Sequence, residues 1–215
     1  MTKDELFFRI EQDPEYVLAN SFRHCHTKEV TSIGLHSNDR EGLRVFLAHP
    51  GHKLFTNHIE EFMFNRRPMS VGIHPHRRAL FLNCFVGSIV NVSATLLNEP
   101  DQWCLRKCEF RSRILGERGE IKLMKGAYHF SLTEKKIQAD TSQRGIALKA
   151  SDLHTIAVES WKKAAWSVSE GLCDPDFKAV MYTNAPPTPG WDEGLYEKFE
   201  SINAIKIHID NFYQR

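Results

Sequence analysis

Short strand-like segments follow one another densely between residues 43 and 171, and this density limits the fold more than any other feature of the chain. The segments are rich in β-branched and aromatic residues and are separated by turns of Gly, Pro, Asn and Asp. No helical segments alternate with them as they do in a βαβ protein, so the pattern predicts a mainly β protein, a sandwich or a barrel. The predicted strands are residues 43–48, 69–87, 88–97, 103–115, 120–123, 128–132, 136–139, 145–150, 152–158 and 163–170.

Helical patterns lie at both ends of the chain. Residues 3–23 repeat apolar side chains at helical spacing, and Asp13-Pro14 divides the stretch into two short helices. Near the other end, residues 192–199 are predicted as a last short helix, and residues 205–209 as a final strand.

One structural domain accounts for this order of elements. A chain of 215 residues is long enough to bury one sizeable core. We predict that residues 1–42 form a helical extension packed on the barrel. Residues 43–215 are predicted to form the barrel itself, with its C-terminal helix.

Charge and cysteine content indicate which binding partners and which cellular location are expected. The chain has 28 Lys and Arg and 27 Asp and Glu, a net charge of +1, so no global field favours nucleic acid or a membrane surface. No apolar run reaches membrane-spanning length, and the charged N-terminus is not a signal peptide. Five irregularly spaced cysteines predict no disulfide framework, which favours a reducing, cytoplasmic location. A small-molecule substrate is the expected partner, and a homodimer is compatible with the sequence.

The segment His74-Pro75-His76 carries the first candidate site. On a strand, residues two apart face the same side, with a rise of about 3.3 Å each, so the two histidines start roughly 7 Å apart. Two imidazoles at that separation can bind one metal at about 2.1 Å from each nitrogen. Pro75 lacks an N–H group, so a free edge or an irregularity is expected there. A polar strand face is the competing interpretation, but the flanking residues are apolar and Gly87 ends the segment where a hairpin is expected to turn.

His154 is the natural third metal ligand. It lies on a later apolar strand beside Asp152 and Ile156, and a barrel can bring distant strands together. Three neutral imidazoles suit zinc, iron, copper or nickel, whereas magnesium and calcium prefer oxygen ligands. The alternative is that His154 is a core histidine whose hydrogen bonds are satisfied.

Two further groups of histidines are considered as site residues. His24 and His26 flank Cys25 in a segment that resembles a ligand cluster, but we interpret it as a surface or capping segment. His49, His52 and His58 could line a site, but histidines at turns are usually solvated.

Arg78 is the candidate that would bind the anionic end of a substrate. An unbroken strand would point it inward with His74 and His76, while Arg77 points out. A guanidinium binds a carboxylate or phosphate through two parallel hydrogen bonds. The alternative is a structural ion pair with an acid of the barrel such as Asp152, which is itself a candidate substrate-binding residue.

Glu170 and Tyr196 are the candidate proton donors. Glu170 ends a predicted strand, and Tyr196 lies on the predicted helix after a proline-rich loop. Either could act near the mouth of the barrel. The competing interpretation is an exposed glutamate and a packing tyrosine.

Together these residues resemble the motifs of the cupin superfamily. The first cupin motif has a glycine, His-x-His, a glutamate and a closing glycine, and here Gly72, His74, His76 and Gly87 match it. A lone histidine in the second motif matches His154. The resemblance covers roughly residues 43–171, and it implies a double-stranded β-helix, or jelly-roll, barrel.

The accessory positions of the motifs depart from the cupin pattern. Leu80 stands where the family has its glutamate, and Val158 stands where it has an asparagine. Lys149 and Ser151 replace the usual proline and glycine. Three-histidine members similar to cysteine dioxygenase also lack the glutamate; they carry an N-terminal helical segment, use mononuclear iron and bind a carboxylate through arginine.

This resemblance implies a non-haem iron oxidoreductase of the dioxygenase type that acts on a small anionic molecule. Zinc, nickel, copper or manganese are the alternative metals. A metal-dependent isomerase or lyase and a non-catalytic metal- or small-molecule-binding cupin remain open, because fold does not determine function.

Overall fold

The computed structural model describes residues 1–25, 29–52, 72–98, 103–111, 120–142, 144–159, 162–174, 177, 179–183 and 196–214. The helices in these ranges are α1 (Lys3–Gln12), α2 (Pro14–Ala19) and α3 (Ile202–Gln214). The strands are β1 (Val30–Ser37), β2 (Gly42–Ala48), β3 (Arg78–Val86), β4 (Ser88–Leu97), β5 (Trp103–Arg111), β6 (Glu120–Leu123), β7 (Tyr128–Gln138), β8 (Gly145–Leu148), β9 (Leu153–Val158), β10 (Ala164–Cys173) and β11 (Val180–Thr183).

Two antiparallel sheets form the body of the protein. The first has the order β1-β2-β10-β3-β8, and the second has the order β11-β5-β7-β4-β9, with β6 beside β5. A short bridge between His74 and His154 adds residues 73–74 at the β9 edge of the second sheet. Eight strands are divided between the sheets in jelly-roll order. The first sheet contains β2, β3, β8 and β10, and the second contains residues 73–74, β4, β7 and β9. The predicted mainly β, jelly-roll fold is therefore confirmed.

Two strands of the structure are absent from the sequence prediction. β1 lies within residues 1–42, which were predicted to be helical, and it pairs with β2 along its length. β11 pairs with β5, and its Tyr182 also bridges to Ile73. The two predicted strands within residues 128–139 are one continuous strand, β7.

The N-terminal helices follow the prediction, including the break at Asp13-Pro14. A capping box begins α1, in which the Thr2 hydroxyl accepts from the N–H of Glu5 and the Glu5 carboxylate accepts from the N–H of Thr2. The Asp13 carboxylate caps α2, and Pro14 is the first residue of that helix.

The C-terminal prediction was wrong in detail. Residues 205–209 belong to helix α3, and residues 196–199 are not helical; the rest of the predicted helix, residues 192–195, lies outside the described residues. The alternation of Ile205, Ile207 and Ile209 resembles a strand, but Ile207 is exposed. Ile205, Ile209 and Phe212 form the buried face at helical spacing, because α3 packs on the sheet along one stripe only.

Each face of the first sheet carries an apolar cluster. Its outer face packs against α1, α2 and α3, and its inner face packs against the second sheet. Along β2 the residues therefore alternate between two apolar environments, with Val45 and Leu47 beneath the helices and Phe46 and Ala48 inside the jelly roll. A third apolar cluster, Ile73, Leu105, Phe130 and Tyr182, lies on the other face of the second sheet. Among the helices in the described ranges, none has the length and apolarity that a membrane span requires.

Candidate metal centre and cavity

The predicted strand over residues 69–87 is interrupted where the histidines lie. Ile73 and His74 form isolated bridges, and the regular strand β3 begins only at Arg78. The cause is Pro75, which has no N–H group to continue a ladder. His74 instead pairs with His154, each donating its backbone N–H to the carbonyl of the other at 3.0 and 3.1 Å.

This pairing brings the distant histidine to the His-x-His segment. Residues directly opposite each other on antiparallel strands point to the same face of the sheet. The backbone N–H of His76 donates to the carbonyl of Ala150, in the turn before β9, at 3.0 Å. The ring centres are 4.7 Å apart for His74 and His76, 4.9 Å for His76 and His154, and 5.8 Å for His74 and His154.

The three rings line one wall of a cavity inside the jelly roll. Its volume is about 240 Å³. The surrounding side chains come from both sheets and from the segment before β1: Cys25, Val30, Ser32, Arg44, Phe46, Leu80, Leu82, Ile156, Trp166, Val168 and Glu170. Phe46 and Trp166 are stacked, with ring centres 5.3 Å apart, and form an aromatic side of the cavity.

Hydrogen bonds fix the protonation of two of the rings. Nδ1 of His74 lies 2.7 Å from the carbonyl of Gly72, and Nδ1 of His154 lies 2.7 Å from Oδ1 of Asn91. Because both partners are oxygen acceptors, each Nδ1 carries the proton and each Nε2 keeps its lone pair. Nε2 of His154 is buried and has no hydrogen-bond partner among the described residues.

Burial keeps these imidazoles neutral. It lowers the pKa of His74, and it lowers the pKa of His154 to about 3, with a smaller contribution from the neighbouring His74. A neutral imidazole is the form that binds a metal ion.

The distances between the three ring centres indicate whether the histidines could bind one metal ion. Imidazoles bound to one metal at about 2.1 Å have ring centres roughly 4.5–5.5 Å apart, close to the separations found here. Within the described ranges, however, no three His, Cys, Asp or Glu side chains already stand in a geometry that could hold a metal ion. The three residues fit a metal in type and approximate spacing, and His74 and His154 fit it in protonation as well; the rings would have to move to bind one ion.

Arg44 is a charged residue of this cavity that the sequence prediction missed. It extends inward from β2, and its Nη1 donates to the carbonyl of Asn20 at 3.0 Å and to the Ser32 hydroxyl at 2.6 Å. The structure gives it no ion pair with a described carboxylate. The only signal in the sequence is a single charge within the apolar strand of residues 43–48.

Arg78 does not line the cavity. Its guanidinium donates to the carbonyls of Asn38 and Gly171 at 2.7 and 3.3 Å, and its Nε lies 3.7 Å from the carboxylate of Glu170. The inward direction predicted for Leu80 and the outward direction predicted for Arg77 agree with their burial. Arg78 is thus held by framework contacts of the kind considered for it, with Glu170 instead of Asp152 as the acid.

The other three predicted site residues lie in different surroundings. Glu170 lines the cavity and ends its row of inward side chains on β10. The Asp152 carboxylate accepts from the backbone N–H of Lys149, in the turn before β9, and does not line the cavity. Tyr196 packs edge-on against Phe22, with ring centres 5.6 Å apart, and is also absent from the cavity lining.

The remaining histidines lie away from the cavity. His24 accepts from the N–H of Glu29, and His52 Nε2 contacts the carbonyl of Lys162. His49 is buried beside α3, where its ring contacts that of His208. His26 and His58 lie outside the described residues.

The known proteins to which the chain is similar are distant structural matches. No protein-family model matches the chain, and no curated protein is significantly similar to it. The capsular polysaccharide assembling protein CapF of Staphylococcus aureus aligns at 11% identity over 71% of this chain and 29% of its own, with a TM-score of 0.38. The polyketide cyclase RemF of Streptomyces resistomycificus aligns at 14% identity over 80% and 84%, with a TM-score of 0.36.

Two further matches have similar scores. An oxalate decarboxylase of Lactobacillus farciminis aligns at 12% identity over 73% of this chain and 32% of its own, with a TM-score of 0.35. A cupin-2 domain of Rhodospirillum rubrum aligns at 11% identity over 76% and 69%, with a TM-score of 0.30. The chain spans less than a third of the length of CapF.

The strand order alone identifies the fold. Two sheets in jelly-roll order enclose a cavity with three inward histidines. The protein is therefore a jelly-roll protein.

Proposed function

We propose that the protein is a metal-dependent enzyme, an oxidoreductase of the dioxygenase type that acts on a small anionic molecule. The observation that carries the proposal is the cavity itself. His74, His76 and His154 lie on one wall, and Nε2 of His154 is buried there without a hydrogen-bond partner among the described residues. A buried polar atom without a partner is rare in a folded protein and suggests a ligand that the atom binds.

His74, His76 and His154 are the residues that would hold the metal. Three protein ligands leave coordination positions open, and a redox-active metal such as iron would supply electron transfer there. The apolar lining of Leu80, Leu82 and their neighbours would exclude bulk water from the reacting groups.

Arg44 would bind the anionic end of the substrate. Its charge has no described carboxylate as a counterion, and it lines the same cavity as the histidines. The guanidinium is only partly exposed to water, so an anionic ligand would stabilise its charge. The cavity volume of about 240 Å³ limits the ligand to a small molecule.

Glu170 is the cavity carboxylate that could hold or move a proton. It is half-buried and paired with Arg78 at 3.7 Å. Glu170→Gln should then lower turnover by about 10²–10⁴-fold, the usual contribution of a general acid or base. Tyr196→Phe is the control, since Tyr196 packs on Phe22 outside the cavity lining. Equal, unchanged turnover of both variants would remove Glu170 from the reaction.

Elemental analysis of protein purified without a metal-chelating tag tests the proposal. We expect one transition-metal ion per chain, and iron if the enzyme is an oxidoreductase. Oxygen consumption is then measured with the iron-loaded protein and a panel of small carboxylates. Bound metal without oxygen consumption would favour an isomerase or lyase, or a metal-binding protein without catalysis. Metal-free protein that also fails to bind added iron, zinc or nickel would overturn the proposal.

A further inference from the structure

Asn91 occupies an unusual place for an asparagine. It lies in the middle of β4, points into the jelly roll and is fully buried. Asparagine is disfavoured in strands, and a buried amide is costly unless its donors and acceptors are paired. The neighbouring inward residue Ile89 belongs to the apolar core, so packing alone gives no reason for an amide here.

The amide of Asn91 makes two hydrogen bonds. Nδ2 donates to the Ser93 hydroxyl at 3.0 Å, and Oδ1 accepts from Nδ1 of His154 at 2.7 Å. Ser93 and His154 are paired residues on β4 and β9, so the three side chains share one face of the sheet. The amide nitrogen is occupied by Ser93, and the oxygen is the atom that faces the imidazole.

We infer that Asn91 is a positioning residue, which holds His154 in the tautomer with its proton on Nδ1 and turns the Nε2 lone pair into the cavity. The role of that lone pair as a metal ligand rests on the proposed function; the tautomer itself does not. A hydrogen bond to the far nitrogen sets both the tautomer and the direction of an imidazole.

The tautomer can be measured directly on metal-free protein. Protonated and unprotonated ring nitrogens differ in ¹⁵N chemical shift, so a histidine-labelled sample reports which nitrogen of His154 carries the proton. The spectrum of His154→Gln identifies the signal. We expect the proton on Nδ1 at neutral pH, and a proton on Nε2 in the parent protein would overturn the inference without any variant at Asn91.

Variants then separate positioning from simple packing. Asn91→Ala removes the acceptor and should shift the His154 proton toward Nε2, with a loss of zinc affinity of about 10–100-fold. Asn91→Asp keeps an acceptor oxygen and should keep both the tautomer and the zinc affinity. Asn83→Ala, which removes an amide from β3, is the matched control and should change neither.

The outcomes distinguish the two proposals. An unchanged tautomer in folded Asn91→Ala would overturn the role of Asn91, whatever the protein binds. A parent protein that has the expected tautomer but binds no zinc or iron would leave the positioning of His154 intact and overturn the proposed function. If Asn91→Ala does not fold, the parent tautomer and the Asn91→Asp variant still decide the question.

Discussion

Two groups of buried histidines invite comparison. The cavity histidines are His74, His76 and His154, inside the jelly roll. The helix histidines are His49 and His208, between the first sheet and α3, with ring centres 4.3 Å apart. Burial lowers the pKa of His154 to about 3 and that of His208 to about 4, so neither burial nor basicity distinguishes the groups.

The groups differ in what their Nε2 atoms contact. Nε2 of His49 and Nε2 of His208 lie 3.3 and 2.7 Å from the hydroxyl of Thr31. That hydroxyl donates its single proton to the carbonyl of Arg23, so it accepts from both rings, and each helix histidine carries its proton on Nε2. His74 and His154 have the opposite tautomer, and His154 leaves Nε2 without a described partner.

A buried histidine whose polar atoms are all paired is part of the packing, whereas one with a free lone pair facing a cavity is prepared for a ligand. The helix histidines are packed in addition by aromatic rings. His49 meets Phe212 edge-on at 5.2 Å, and His208 meets Phe199 at 5.5 Å. This comparison predicts that substitutions in the two groups affect different properties of the protein.

The largest expected effect is loss of the metal. The double variant His74→Ala and His76→Ala should no longer bind metal stoichiometrically, because the one remaining histidine binds a metal ion weakly. The folded variant is compared by elemental analysis with a second double variant, His49→Gln and His208→Gln, which should retain the metal. Full metal content in the first variant would remove the distinction between the groups.

Binding of an anionic ligand should depend on Arg44 more than on Arg78. Arg44→Lys keeps the charge but loses the paired geometry, and it should weaken binding of a carboxylate inhibitor by about 1.5–3 kcal/mol. Arg78→Lys is the control, because its guanidinium is held by Asn38, Gly171 and Glu170. Both variants should keep the metal. The reverse order of effects, measured by calorimetry, would restore Arg78 as the anion-binding residue predicted from the sequence.

A change at Thr31 should affect stability and leave the cavity intact. Thr31→Val keeps the shape of the side chain but leaves both helix histidines without their buried acceptor. We expect a loss of about 1–3 kcal/mol in the free energy of unfolding, measured in urea, with unchanged metal content. Thr133→Val on the exposed face of β7 serves as control and should be nearly neutral. Loss of metal in Thr31→Val would show that the two groups are coupled.

Strand content and the pairing of His74 with His76 were predictable because both depend on local patterns. The alternation of apolar and polar residues, together with the turn residues, located most strands, and the histidine pair required only two positions that lie two residues apart. β1 was missed because residues 1–42 were interpreted as one helical extension. Three cavity residues of this region were missed for the same reason: Cys25, Val30 and Ser32.

The direction of individual side chains, and the contacts they make with residues distant in sequence, were less predictable. Arg78 was assigned inward by counting along an unbroken strand, and on β3 it does continue the row of Leu80 and Leu82. Its guanidinium is nevertheless outside the cavity lining, because Asn38, distant in sequence, accepts from it at the end of the strand. Arg44 sits on a strand with both faces buried, so its alternation could not identify the cavity side. The role of Asn91 depends on which residue β9 places opposite β4, and sequence spacing does not contain that register.

The smallest expected effect concerns pH. The pKa of His208 falls from an ordinary value of 6.5 to about 4, first because of burial and then because of the charges on Arg23 and His24. Below about pH 6.5 the unfolded chain therefore binds a proton that the folded protein rejects, and stability falls as the pH drops toward about 4. His52, His74 and His154 also have lowered pKa values and act in the same direction.

The contribution of His208 is isolated by comparison with His208→Gln, whose amide can still donate to Thr31. Unfolding in urea is measured between pH 7 and pH 4.5 on chelator-treated protein, so that release of metal from the cavity histidines adds nothing. The variant should lose less stability than the parent over this range, because it no longer excludes one proton. Parallel curves for the two proteins would mean that the protein relaxes around a charged His208 at little cost. The helix histidines would then be packed less rigidly than their hydrogen bonds to Thr31 indicate.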